Sequence, residues 1–443
     1  MKLSHSLIFG ALMLACLPSV PSRAQASSIL TPTAGSQPVI TLTDAEAAAV
    51  KNQPKMLAAQ LRARAYQERE REARSGLLPM IEFNATGVQV ADTGTSTAAG
   101  NITTSSISDR FAYGGNLAQL VTDFGRTSAL VRSARSAARA QNELATLTVA
   151  QVRLNVRSAY YQVLGAEAVL RAAEAAQQNR SLILRQLSAL AQSQLRSTLD
   201  VNFAKVLESE AELAVVRAEA TVAERRARLA TAMGEQRPVN ATLSEPVLPG
   251  DSLPSNPDEL FKEATERRAD LSAVQDQQQS ATEFAKSEKR LSYPTLNVLA
   301  SAGEIPFHDH TLHDDYAAAG FNLKIPVFNG GLYAARRTEA DLEAKAKARD
   351  VQELQLEVNE QVRDAWYRAD EAYRSLDVTN RLVAQSKEAL RLAQDRYDAE
   401  LGSIVELNEA QLNETSAEIT AADATYTYLV RRAELDYATG ALN

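Results

Sequence analysis

Residues 400–411 read ELGSIVELNEAQ and interrupt two long helical patterns. Between Gly331 and Tyr397 there is no proline and no internal glycine, and the same holds from Gln411 to Ala438. A Gly402-Ser403 break between two such runs is the tip of a helical hairpin. The tip occurs a first time at residues 194–205, QLRSTLDVNFAK. There Leu195 matches Leu401, Ser197 matches Ser403 and Asp200 matches Glu406, while Asn202, Ala204 and Glu208 match Asn408, Ala410 and Glu414, all at a spacing of 206 residues. The chain is therefore two copies of one unit. Each copy is a helical hairpin with something shorter attached at its far end.

Composition agrees. Of 443 residues 45% are hydrophobic but only 5% aromatic, and Ala, Leu, Glu, Gln and Arg fill the middle of each half. That mixture with helical periodicity points to long helices or coiled coil. A formal charge of −8 and the lack of a basic patch argue against a nucleic-acid partner.

The first 26 residues read as an export signal: Lys2, an apolar run from Leu7 to Leu17, and Ala24-Gln25-Ala26 as cleavage site. Cleavage removes Lys2 and Arg23 and takes the charge from −8 to −10. It also removes Cys16, the only cysteine, leaving a chain suited to an oxidising compartment without disulfides. A second reading makes Cys16, after Met13-Leu14-Ala15, a lipidated N-terminus, although Met13 and Leu14 fit a lipidation box imperfectly. No later stretch has the ~18 consecutive apolar residues of a transmembrane helix.

After an extended lead-in from Ser27 to Val39, a helix opens with Thr43 as expected N-cap, and Pro54 marks a break or a new start. Ile81, Phe83 and Ala85 alternate with Glu82, Asn84 and Thr86, a strand signal. A Gly/Ser/Thr loop covers 92–108, and a second strand carries Phe111, Tyr113 and Leu117 on one side. Arg126 to about Gln194 is helical, about 100 Å at ~1.5 Å per residue, and a return helix runs from about Leu199 to Met233. Five of the fourteen prolines fall between Pro238 and Pro257 and mark the connector between copies. The second copy repeats the plan: a helix over about 257–290, a strand with Leu296, Val298, Ala300 and Ala302 on one face, a loop, a strand with Phe321, Leu323, Ile325 and Val327 alternating, and a helix from Gly331. The expected division is thus a signal peptide (1–26), a first repeat (27–237), a connector (238–257) and a second repeat (258–443).

Four strands per chain cannot close a barrel, and an open sheet edge in lipid leaves backbone groups unpaired at several kcal/mol each. If the strands face lipid, chains must combine, and three chains supply twelve strands. The helices carry mostly Ala with scattered Leu and Val, which suits narrow seams around a hollow cylinder better than one solid core.

At this point the sequence resembles a known family, the TolC family of outer-membrane efflux and secretion channels. The resemblance spans Thr41 to Asn443 and rests on the duplicated tips, the junctions Val121-Thr122-Asp123-Phe124-Gly125 and Pro326-Val327-Phe328-Asn329-Gly330-Gly331, and the closing Leu435 to Gly440. It implies a mainly α fold with a membrane β-barrel contribution: a homotrimer with a twelve-strand barrel in the outer membrane and a twelve-helix periplasmic tunnel. It also implies a passive exit duct in a tripartite efflux or type I secretion system, docked to a periplasmic adaptor and an inner-membrane transporter. No cofactor and no catalytic role is implied. By the same resemblance Asp200, Glu406 and Glu409 ring the periplasmic aperture, Glu406 and Glu409 lying one helical turn apart. A solvated helix face is the plainer alternative. Ser403 stands where some members carry a basic latch residue, so a closed-state salt-bridge network does not transfer. Leu195, Ser197, Leu401, Gly402 and Ser403 are the residues expected to meet the adaptor.

His308, His310 and His313, with Asp309, Asp314 and Asp315, could hold a transition metal, but an exposed hydrophilic loop at the barrel mouth accounts for them more simply. Tyr160, Tyr161, Trp366 and Tyr367 occupy equivalent positions and are expected to pack at helix seams. No nucleophile motif, phosphate loop or spaced metal motif is present. The competing function is a soluble periplasmic coiled-coil scaffold or adaptor; the strand segments and the duplication favour the duct.

Overall fold

The two longest helices each begin at a left-handed glycine, Gly125 and Gly331 (φ 85°). A computed structural model describes residues 39–443 except 90–94, 98–103, 107–109, 195–196, 247, 249–252, 255, 308–312 and 400. The export signal, Cys16, Leu195, His308 and His310 lie outside the described residues. In order the elements are β1 (Val39–Ile40), α1 (Leu42–Asn52), α2 (Pro54–Ser75), β2 (Met80–Val88), β3 (Thr95–Thr97), β4 (Thr104–Ser106), β5 (Arg110–Thr122), α3 (Arg126–Gln192), α4 (Thr198–Met233), β6 (Thr242–Leu243), α5 (Pro257–Arg267), α6 (Ala269–Lys289), β7 (Thr295–Phe307), β8 (Asp315–Lys324), α7 (Leu332–Asp398) and α8 (Ile404–Ala438).

Helices α3 and α7 have 67 residues each and start 206 apart. The pairs α1/α5, α2/α6 and β2/β7 instead start 215 apart, at Leu42/Pro257, Pro54/Ala269 and Met80/Thr295. The nine-residue difference is absorbed between the two strands of each copy, where the first copy also inserts the β3–β4 ribbon in place of the expected loop.

Two expected helices differ in detail. The cap of α1 is Thr41, not Thr43: its hydroxyl accepts from the Asp44 N–H and its own N–H donates to the Asp44 carboxylate, each at 3.2 Å. The pair forms a capping box, and the Thr41 hydroxyl (2.6 Å) and, next, its N–H, both donating to the Asp44 carboxylate, hold that carboxyl below its ordinary range. The helix expected over 257–290 is broken at Arg268, as the first is at Gln53 (ψ 121° and 117°). Both breaks have one cause. The return helices α4 and α8 end at Gly234 and Gly440 in left-handed conformation (φ 78° and 80°), directly against the breaks. A Cβ on Gly234 would come within 2.9 Å of the Asn52–Gln53 backbone, and one on Gly440 within 3.1 Å of Arg267–Arg268. The Gln53 amide donates to the carbonyls of Thr231 and Ala232 (3.0 and 3.1 Å), and the Arg268 guanidinium to that of Ala438 (3.2 Å). Ala232 and Ala438 are repeat equivalents. Each side chain thereby satisfies a carbonyl, that of Ala232 or of Ala438, in the last turn, where a helix end leaves carbonyls without intrahelical partners. So α2 abuts the end of α4, and α6 the end of α8, while α3 and α7 run on unbroken. Toward the strands α3 packs on α2 and α6; toward the tips it packs on α4 and α8.

Equivalent cores sit at these joints. Ala49, Val152 and Val156 in one correspond to Ala264, Val358 and Val362 in the other. The paired aromatics divide: the buried Tyr160 hydroxyl reaches the carbonyls of Ile40 and Ser244 (2.9 and 2.7 Å), and Trp366 donates to Pro254 (2.9 Å), each pinning the connector. Tyr161 is buried too, but Tyr367 is 60% exposed, its ring meeting that of Trp366 edge-on at 5.1 Å.

The four long strands form one antiparallel sheet ordered β2-β5-β7-β8, with β2 and β8 at its edges. Strand β8 stops at Lys324, so Ile325 and Val327 lie beyond it. The register puts Ile81, Phe83, Leu117, Leu296, Val298, Ala300, Phe321 and Leu323 on one face, and Glu82, Asn84, Asn116, Asn297, Ser301 and Asn322 on the other. Successive residues of a strand alternate faces, so the sheet is apolar on one side and polar on the other.

At the junction into α3, the buried Asp123 carboxylate accepts from the N–H groups of Gly125 and Thr127 (3.1 and 2.7 Å). Below it, Glu283 on α6 is clamped by Arg132 (2.7 Å) and Lys286 (2.6 Å). Burial raises its proton affinity, but the bonds from Lys286 and Arg132 outweigh burial and leave the carboxyl below its ordinary value of 4.5. A depressed acid contributes stability that is present above the unfolded-state value and lost as pH falls through the folded-state value. Arg132→Ala is therefore expected to move the acid unfolding midpoint, followed by far-ultraviolet circular dichroism, to higher pH; an unchanged midpoint would contradict this role for the clamp.

Candidate functional site

The sequence positions the site by ending two helices without proline or a long loop. Helix α7 closes at Ala399, and the N–H groups of Leu401 and Gly402 both donate back to the carbonyl of Arg396 (2.9 and 3.0 Å). The Ser403 hydroxyl accepts from the Glu406 N–H (3.2 Å) and starts α8. At the first tip Gln194 adopts positive φ (57°), and the Ser197 hydroxyl accepts from the Leu199 N–H (3.1 Å). The two tips are alike in their caps and share one apolar cluster: Leu187 from α3, Ala204 from α4, Ala393 and Tyr397 from α7, Leu407 from α8. Leu401 projects outward, 75% exposed.

Glu406 and Glu409 line one groove between the ends of α7 and α8, together with Leu392, Arg396 and Asn413. Asp200 is half-buried on the first turn of α4. Among the described residues no hydrogen bond or ion pair joins it to either glutamate. Leu195 lies outside the described residues.

Sequence reasoning missed Arg396. Its guanidinium approaches the Glu406 carboxylate at 3.4 Å and the Leu401 carbonyl at 3.4 Å, while its own carbonyl holds the turn. The 206 spacing matches it to Leu190, so the duplication carried no signal for it. Glu414 was noticed only as a repeat match. It sits two turns beyond Glu406, where burial, reinforced by Glu418, pushes its carboxyl up against the opposing pull of Lys387. Lys387 bridges α7 to α8 through Glu418 at 2.8 Å. Near the strand end, His313 is described, but no group of metal-ligating side chains occurs among the described residues.

Sequence comparison matches the family described as outer membrane efflux protein over residues 47–235 and 260–441, that is, over both copies. The chain belongs to the outer membrane efflux protein family. It is an outer-membrane channel protein of efflux systems, its helical hairpins forming the periplasmic domain, in a family of transport channels. The soluble scaffold alternative is set aside. Outer membrane protein TolC of Salmonella enteritidis is 24% identical over 196 residues, which cover 42% of this chain and 40% of that protein. The solved outer-membrane channel OprN superposes with a TM-score of 0.77 at 20% identity, over 90% of this chain and 89% of that one. The open state of the Neisseria gonorrhoeae MtrE outer-membrane channel gives 0.75 at 20% identity, over 90% and 88%. At such identities the structures establish the fold: paired strand hairpins carried on duplicated long helical hairpins.

Proposed function

We propose that the chain acts as a homotrimeric exit duct, with no chemical step of its own, receiving substrates from an inner-membrane transporter through a periplasmic adaptor. The observation that carries this is the sheet. It has two open edges, β2 and β8, and its apolar face exposes Ile81 (73%), Phe83 (72%) and Phe321 (77%) to whatever surrounds it. Lipid on that face would require every edge to be paired, and three copies joined β2 to β8 make a closed twelve-strand barrel with a polar interior. The helices offer matching flanks. On α4, Leu199, Phe203, Val206 and Leu213 are exposed at helical spacing, and on α7 Leu356, Tyr367, Val378, Leu382 and Leu392 are exposed along one face. Such seams suit α4 of one copy beside α7 of the next. The duplicated unit divides at the connector, residues 238–257, and each copy supplies one tip.

In this reading Asp200, Glu406 and Glu409 surround the periplasmic aperture, and the adaptor meets Leu195, Ser197, Leu401, Gly402 and Ser403. Repeated carboxylates near the axis attract cations and repel anions. Replacing both Glu406 and Glu409 with Ala is expected to weaken cation selectivity in planar bilayers, more at low salt because screening shortens the reach of the ring. Arg396 already offsets part of the Glu406 charge, so Glu409→Ala alone should give the larger single effect. Selectivity unchanged at low salt in the double variant would mean that these residues face outward.

A further inference from the structure

The strand-to-helix junctions carry an exposed apolar and aromatic collar: Phe124, Tyr293, Val327 and Phe328, the last two 93% and 89% exposed. The Phe124 and Tyr293 rings meet edge to face, 6.1 Å apart. Aromatic girdles of this kind mark the boundary between hydrocarbon and water. Just on the helical side of the collar, α6 and α7 enclose a groove lined by Thr282, Lys286, Lys289, Arg337, Thr338 and Asp341. Its charge is positive in a chain whose net charge is −8. Asp341 is held by Lys345 (2.7 Å). Lys286 shares the single carboxylate of Glu283 with Arg132, and the neighbouring Arg336 is spent on Glu288 (2.8 Å). Lys289 and Arg337 are exposed and have no acidic partner among the described residues. At the adjoining start of α3, Arg132 and Arg135 are likewise taken up, by Glu283 and by Glu70 (2.8 Å), so the unpaired positive charge is that of Lys289 and Arg337.

The groove also has a side. Ser280 and Glu283 turn toward α3, and Glu288 toward Arg336 of α7. With ~100° per residue, a helix in a twelve-membered ring sees its neighbours about 150° apart facing the axis and about 210° apart facing out, and Lys286 and Lys289 fall in the wider arc. We infer that the Lys286–Lys289–Arg337 groove binds the anionic headgroup of a phospholipid in the leaflet that borders the helical domain. Two cations without acidic partners and an apolar collar one step deeper match a phosphate ester whose chains enter the hydrocarbon. Basic pockets beside a membrane-spanning wall recognise anionic headgroups in this way.

The inference rests on the trimeric duct proposed above, and one experiment separates the two. The full-length protein in mild detergent is incubated with phosphatidylglycerol or phosphatidylcholine and weighed intact by native mass spectrometry. The wild type should retain phosphatidylglycerol preferentially, and millimolar inorganic phosphate should not displace it. A cation near an anionic surface contributes about fivefold in affinity, so the charge-neutral pair Lys289→Gln, Arg337→Gln should weaken retention roughly thirtyfold. Equal retention of both lipids, an unaffected double variant, or full displacement by phosphate, in a trimer, would overturn the inference and leave the duct standing. A species that is not trimeric would overturn both.

Discussion

Gly303→Val is expected to abolish the assembled channel, whereas Gly320→Val on the neighbouring strand leaves it intact. Gly303 and Gly114 face each other across β7 and β5, beside Tyr316 of β8 in the same row. A Cβ on Gly303 would overlap the Tyr113 carbonyl oxygen and lie 2.6 Å from the Gly114 Cα; one on Gly114 would overlap the Tyr316 hydroxyl. Gly320 has nothing within 4 Å of its Cβ position and sits on the same polar face. Overpacking costs about 1–3 kcal/mol where side chains can yield. Here the obstacle is the backbone of an adjacent strand, which cannot move without breaking the ladder, so the cost lies at or above the top of that range. Measured as membrane-inserted trimer on semi-native gels, Gly303→Val should fall to under a tenth of wild type. Normal assembly of that variant would mean that the close approach of β5, β7 and the Tyr316 ring is not required.

The second large effect is at the tips. A Ser197→Arg, Gly402→Arg double variant should lose export while still inserting in the membrane. The two tips share a cluster built from Leu187, Ala204 and Leu407, none of which is touched. A Cβ on Gly402 comes to 3.3 Å from Arg396 and Tyr397, so the new side chain is driven outward. Losing the Ser197 cap costs about 1 kcal/mol, small beside a multi-chain assembly. Efflux measured in a strain dependent on this channel should approach that of a strain lacking it, with barrel insertion unchanged. Wild-type efflux would place the adaptor contact elsewhere.

Much of this was legible in the sequence because duplication samples each feature twice. Tips, strand–helix glycines and the ends of α4 and α8 all recur at 206 residues, and each recurrence corresponds to a shared local geometry: Gly125 and Gly331 have φ of 85° in both copies. The front of each copy was harder to read, because Gln53 and Arg268 do the same work with different side chains at a spacing of 215. A pattern search sees no match there, although both cap the same carbonyl. The break at Arg268 was missed for a related reason: it needs no Pro or Gly, only an extended ψ stabilised by a helix end distant in sequence. Arg396 was illegible because its role exists in one tip only.

If one chain is a third of a barrel, the inserted particle must hold three chains. Native mass spectrometry of protein extracted from membranes in mild detergent is expected to give a single species of three chains, and cysteines placed on the β2 and β8 edges should cross-link between chains, not within one. A stable inserted monomer, or edge cysteines that join only within a chain, would contradict the account.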